Sequence, residues 1–165
     1  MKIRLEQQNI GAAVMQIAEH EQFTAINSLK VHGKSISNAF LVNHDTAVLC
    51  KYSSEPNSIG EYVFTFNEEH MENICNISGQ YGKVYFSLVC VEDGEICCLS
   101  IEQFHQLIEY RKNSAKSDES SYAILITMQS GASFRAYVNA AGRRGHFAGK
   151  KLTIARKNFP NALFS

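Results

Sequence analysis

A lysine that follows directly on an apolar strand is the residue in this chain whose position most needs a chemical reason. Ala47-Val48-Leu49-Cys50 runs straight into Lys51. An ammonium emerging from a buried strand is unfavourable unless it reaches water, an anion or a carboxylate. Ahead of it, Ala39-Phe40-Leu41-Val42 forms a second apolar run, and the polar step Asn43-His44-Asp45 between the two reads as a hairpin turn. Both runs are nearly continuous in apolar residues, so both faces of the hairpin are expected to be covered. His44 beside Asp45 suggests a general base, but neighbours in a turn seldom form a dyad and no nucleophile stands at a defined spacing; both read as solvated turn residues.

The second chemical signal is positive charge. The chain is neutral overall, yet residues 1–130 carry nine Lys/Arg against sixteen Asp/Glu, a net −7, while residues 131–165 carry seven Lys/Arg and no acid, a net +7. Arg143, Arg144, Lys150 and Lys151 are concentrated in the glycine-punctuated stretch 140–151, read as a basic loop. Projecting from a loop, they can neutralise phosphates along DNA or RNA. The competing reading is that the basic segment compensates the acidic part of the chain or builds a homo-oligomer interface. The glycines from Gly142 to Gly149 can also cradle a phosphate through backbone N–H groups, although no long helix follows to add its dipole, and a flexible loop is the simpler reading. Of the aromatic residues nearby, Phe134, Tyr137, Phe147 and Phe159 can stack on bases, but their spacing is more typical of core positions.

Two further patterns carry no chemistry. Gly33-Lys34-Ser35 has the letters of a phosphate-binding loop, but the glycine such a loop needs five positions earlier is Ser28, so Gly33 reads as a turn residue. The five cysteines, Cys50, Cys75, Cys90, Cys97 and Cys98, are odd in number and contain no C-x-x-C. They read as reduced, small hydrophobes rather than disulfide or metal ligands. No metal site is expected.

The elements that must position these residues follow from periodicity. Ile10, Val14, Ile17 and Ala18 recur at helical spacing within 5–21, and Gly11 among them hints at close packing on another backbone or a later helix start. A strand over 23–31 precedes the hairpin. After Lys51, a polar loop over 52–60 leads to the strand 62–66, and Asn67 caps a helix to about Ile77. Val84–Val91 is a buried strand, and Asp93-Gly94 turns it into a strand over 95–99. Ser100 then caps a helix to Arg111 with Phe104, Leu107 and Ile108 on one face. Residues 112–121 are polar and read as a linker. Beyond them a hairpin over 122–128 and 134–138 and a short strand over 152–155 form a basic extension. The expected fold is therefore α/β: residues 1–111 form a mixed sheet that includes 39–43, 46–52, 62–66 and 84–91 with flanking helices, and residues 122–165 form a small β-rich extension. With 165 residues, 45% of them hydrophobic, the chain can bury an ordinary core. No run approaches the roughly 18 apolar residues of a membrane span, and the charges in Met1–Val14 do not suit a secretory signal, which places the chain in the cytoplasm.

This order of elements, helix, strand, hairpin ending in lysine, helix and buried strand, resembles the PD-(D/E)XK nuclease superfamily over roughly residues 5–110. The resemblance implies a restriction-endonuclease-like fold, with a carboxylate early on one hairpin strand and Glu-x-Lys or Asp-x-Lys on the next. Laid on this chain, the pattern puts Asn38 near the first carboxylate, Leu49 at the second and Lys51 at the lysine. Asp45 lies between the strands, and Glu19, Glu21, Glu68, Glu69 or Glu72 are the carboxylates that neighbouring helices offer. Since such chemistry needs two or more carboxylates to hold a divalent cation, the resemblance implies a catalytically degenerate domain that binds nucleic acid or a partner. The alternatives are an active magnesium-dependent nuclease with a displaced carboxylate and a non-enzymatic interaction protein. With Lys51, Asn38 and Asp45 as the candidate catalytic set, the amine of Lys51 is expected at the mouth of a groove near Asn38.

Overall fold

The computed structural model describes residues 1–165. Its architecture is mixed α and β, with three α-helices and two sheets. Helix α1 (Leu5–Ala18) leads into β1 (Ile26–Val31), β2 (Lys34–Val42) and β3 (Thr46–Ser53). These strands form an antiparallel meander through two tight turns. His32-Gly33 is a two-residue turn with positive φ at both positions, the geometry that follows strand twist, and Asn43 and His44 also have positive φ in the three-residue turn 43–45. The Asn43 side chain adds a brace: its Oδ1 accepts from the backbone of Thr24 and Ala25, and its Nδ2 donates to the carbonyl of Gln22.

After β4 (Tyr62–Asn67) and α2 (Glu68–Gln80), β5 (Lys83–Cys90) returns parallel to β3, and β6 (Glu95–Ser100) pairs antiparallel to β5. The five-stranded sheet A thus has the order β1-β2-β3-β5-β6. Helix α3 (Ile101–Ala115) follows, then β7 (Ser121–Thr127), β8 (Phe134–Asn139), β9 (Phe147–Ile154) and a final 3₁₀ turn (Asn161–Phe164). Asn67 and Ser100 cap α2 and α3 by accepting from the N–H groups of His70 and Gln103.

Strand β4 departs from the sequence expectation. The sequence pattern puts it in the central sheet, but it pairs with β7 at the edge of a second antiparallel sheet, sheet B, of order β4-β7-β8-β9. The physical reason lies in its alternation: Tyr62, Phe64 and Phe66 are buried while Val63, Thr65 and Asn67 face solvent, the pattern of a sheet covered on one side only. Residues on both sides of the expected 112–121 linker consequently share one core. Phe66, Phe86 and Phe104 pack there with Ile124, Phe134 and Leu152. Helix α3 touches both sheets and continues four residues past Arg111 to Ala115, leaving only 116–120 as the connection to β7.

The other face of sheet A is covered separately. Ile10, Ala13 and Ile17 of α1, with Phe159 and Leu163, bury Val42, Val48, Cys50, Val89 and Cys98. Gly11 is not a point of close approach, since a Cβ there would meet open space. Because strand neighbours point to opposite faces, Val48 and Cys50 face α1, whereas Ala47, Leu49 and Lys51 face the larger core. No helix is long and apolar enough to cross a membrane.

Candidate functional site

The groove beside Lys51 is made by a bulge in β2. Its register with β1 steps from Ser28↔Phe40 to Lys30↔Ser35, so two residues of β1 span five of β2. The excess is taken up around Asn38, whose φ of 58° is left-handed. Asparagine is one of the few residues other than glycine that visits this region readily, and bulges of this kind re-aim strands beside functional sites. Pairing of β2 with β3 ends at Ala39↔Leu49, whereas β3 stays paired with β5 as far as Ser53↔Cys90. Beyond Leu49, therefore, β3 has an open side, and a groove of about 590 Å³ lies along it.

Lys51 from β3 and Asn38 and Lys34 from β2 line this groove, as do Glu6 of α1 and Glu69, His70 and Asn73 of α2. The amine of Lys51 sits 5.0 Å from the centre of the Phe66 ring and belongs to none of the four ion pairs in the chain. Burial lowers its pKa from the ordinary lysine value. His70 feels the same surroundings. Burial and then the charge of Lys51 lower its pKa, against a smaller opposing effect of Glu69. Its Nδ1 accepts from the N–H of Asn67 at 3.1 Å, which leaves the proton of the neutral ring on Nε2. The groove thus presents the ammonium groups of Lys51 and Lys34, an imidazole N–H and the amides of Asn38 and Asn73, with two carboxylates at its walls.

The three hairpin residues singled out from sequence part company here. Lys51 and Asn38 line one groove; Asp45 does not. It sits in the turn before β3, 3.7 Å from the amine of Lys83, and six residues of strand separate it from Lys51 by about 20 Å. Leu49, at the position the resemblance gives to a carboxylate, is half-buried: it packs against the larger core and also lines the groove. Glu6 and Glu69 are the two carboxylates of the groove, and no three His, Cys, Asp or Glu side chains come together in the chain. Sequence reasoning missed Glu6, Lys34, His70 and Asn73. His70 had a detectable signal in its place three residues after the cap Asn67; nothing local connects Glu6 to the hairpin.

The basic residues occupy the far edge of sheet B. Arg143 and Arg144 lie in the 140–146 turn, but Lys150 and Lys151 belong to β9, so the expected loop is in part a strand. The turn is closed by bonds from Ala140 N–H to the His146 carbonyl and from His146 N–H to the Arg143 carbonyl, and Ser114 accepts from Ala141 N–H. The N–H groups of Ala140, Ala141 and His146 are thus engaged within the fold. None of Arg143, Arg144, Lys150 or Lys151 takes part in an ion pair. Arg156, by contrast, bonds to Glu95 and to the carbonyls of Ala132 and Gln129 and is structural. The registers Asn67↔Ser121, Leu125↔Tyr137 and Asn139↔Phe147 place the 140–146 turn at the end of sheet B where β4 enters α2. Two strand spacings, about 10 Å, separate β8 from β4, so the turn and the groove open at the same end of sheet B.

No family model matches the chain, and no curated protein or solved structure shows significant similarity to it.

Proposed function

We propose that this chain is a nuclease-like domain that has lost phosphodiester cleavage and retains nucleic-acid binding. The observation that carries the reading is the meeting of Lys51, Asn38 and Leu49 in one groove, with no carboxylate at either of the last two positions. The lysine of the PD-(D/E)XK pattern keeps its place, and the two carboxylate positions hold an amide and an aliphatic side chain. A phosphate is the ligand best suited to Lys51, the Nε2–H of His70 and the Asn38 amide, since all three can donate to its oxygens. The unpaired cations of β9 and the 140–146 turn extend positive charge from the same end of sheet B. Retention of DNA or RNA on the protein at low salt, without strand scission when magnesium or manganese is added, is the expected result. Absence of retention on every nucleic acid sinks the reading and leaves an interaction protein with internal charge compensation.

A second reading, an active metal-dependent nuclease, is favoured by one observation: Glu6 and Glu69 line the same groove as Lys51. Scission in magnesium or manganese that disappears in Glu69→Gln would replace the first reading by this one.

A further inference from the structure

We infer that the open face of sheet B is a stacking surface for unpaired bases, which makes single-stranded nucleic acid the ligand class; the inference rests on the nucleic-acid reading above. Of the four aromatic residues near the basic segment, Phe134, Tyr137 and Phe159 are buried, at 0%, 5% and 6% exposure. Phe147 alone keeps 45% of its surface exposed. It lies on the face of sheet B turned away from the shared core, where Val63 and Thr65 of β4, Ala123 of β7 and Thr153 of β9 are also exposed and Leu125 and Tyr137 are packed between them.

The ring of Phe147 is held rather than loose. Tyr137 meets it in an edge arrangement at 6.3 Å, and the amine of Lys151 lies 5.1 Å from its centre and 4.4 Å from that of Tyr137. A base stacking on a ring already fixed by its neighbours loses little side-chain entropy in binding. Charge points to the same occupant. Arg143, Arg144, Lys150 and Lys151 surround this edge without ion-pair partners, and Glu61, the carboxylate that reaches the face, already accepts from the Tyr137 hydroxyl. Exposed cations beside an anchored, half-exposed ring are what a nucleic-acid strand offers partners for, its phosphates taking the cations and a base taking the ring. Bases in a duplex are already stacked on one another and cannot reach the ring without unstacking, so the face discriminates in favour of a single strand.

The chain contains no tryptophan, so Phe147→Trp introduces a unique reporter at the proposed stacking position. Oligo(dT) and a duplex of equal length are the probes. Phe147→Trp is expected to bind oligo(dT) at least as tightly as the unsubstituted chain, with its emission quenched on binding. Phe147→Leu, which keeps an apolar side chain of modest size, is expected to weaken oligo(dT) binding by about 5- to 150-fold, the range for one base on one ring, and to leave duplex binding unchanged. Full affinity of Phe147→Leu for oligo(dT), unquenched emission in a complex that retains oligo(dT), or a preference for the duplex overturns the inference and leaves the nucleic-acid reading standing. Failure of both probes to bind overturns both.

Discussion

The groove at Lys51 and the edge of sheet B are two ways of presenting positive charge, and they differ in what holds the charge in place. Lys51 is half-buried on a paired strand, over an aromatic ring, with its pKa lowered by burial and with Glu6 and Glu69 on the surrounding walls. Arg143, Arg144 and Lys150 stand in solvent on a turn and a bulged strand, with no carboxylate paired to them. The first arrangement suits recognition of one phosphate at a defined place; the second suits contact with whichever phosphates pass. Each depends on a local irregularity: left-handed Asn38 opens the groove, and Gly149 lets β9 bulge against α3.

The largest expected effect is at the edge. Gly149 has φ of 65°, and a Cβ there would lie 2.3 Å from Cγ of Tyr110, the ring carbon nearest that residue's own backbone. Gly149→Ala combines left-handed strain with overpacking and is expected to cost about 2–4 kcal/mol in urea denaturation. A loss below about 0.5 kcal/mol, the ordinary range of a surface change, would mean that β9 does not pack on α3 as described. The matching change at the groove is smaller. Asn38→Val puts a β-branched residue into the left-handed region at an expected cost of about 1–2 kcal/mol, whereas Asn38→Gly should not destabilise. Equal tolerance of Val and Gly in denaturation would remove the bulge from the description of the groove.

Gly11 supplies a contrast to Gly149 from the helix that borders the groove. It lies inside α1 with open space where a Cβ would go, so Gly11→Ala should raise stability by about 0.5–1 kcal/mol. A decrease on thermal or urea unfolding would show that some contact at this helix has been overlooked. The smallest effects concern protons. The pKa of Lys51 is lower folded than unfolded. Below the folded value both states hold the proton and the folded state carries the penalty of a poorly solvated charge. As pH rises from there through the unfolded value, the folded state loses the proton first and stability increases. Lys51→Met should lack this alkaline gain. The same substitution removes one cause of the lowered pKa of His70, whose NMR titration should move upward towards the ordinary histidine value. An unmoved His70 titration would separate the two side chains and dissolve the groove as a unit.

Local signals in the sequence were strong where one element decided the outcome. Asn43-His44 announced its turn, Asn67 and Ser100 announced their helices, and the charge on Lys51 after an apolar run announced a residue needing a partner. What escaped depended on two elements at once. The alternation of Tyr62, Phe64 and Phe66 with Val63, Thr65 and Asn67 marks a strand with one wet face, but nothing local says that its partner is β7, far along the chain. The bulge at Asn38 exists only relative to the register of β1. Glu6 reaches the groove because α1 packs across β3. Among the aromatic residues of the basic segment, spacing favoured core positions for all four, whereas the pairing Asn139↔Phe147 turns Phe147 to the outer face of sheet B.

The most direct test of nucleic-acid binding is the salt dependence of affinity for DNA, measured on the intact chain and on the variant with Arg143, Arg144, Lys150 and Lys151 all changed to alanine. Four phosphate contacts give a slope of log affinity against log salt of about −3.6 on duplex DNA, or about −2.8 on a single strand. The intact chain is expected to show the slope of whichever form it binds, and the variant to flatten it while unfolding at the same urea concentration. Lack of retention on either form at low salt, or an identical slope in chain and variant, would contradict a role for these four cations in holding phosphates.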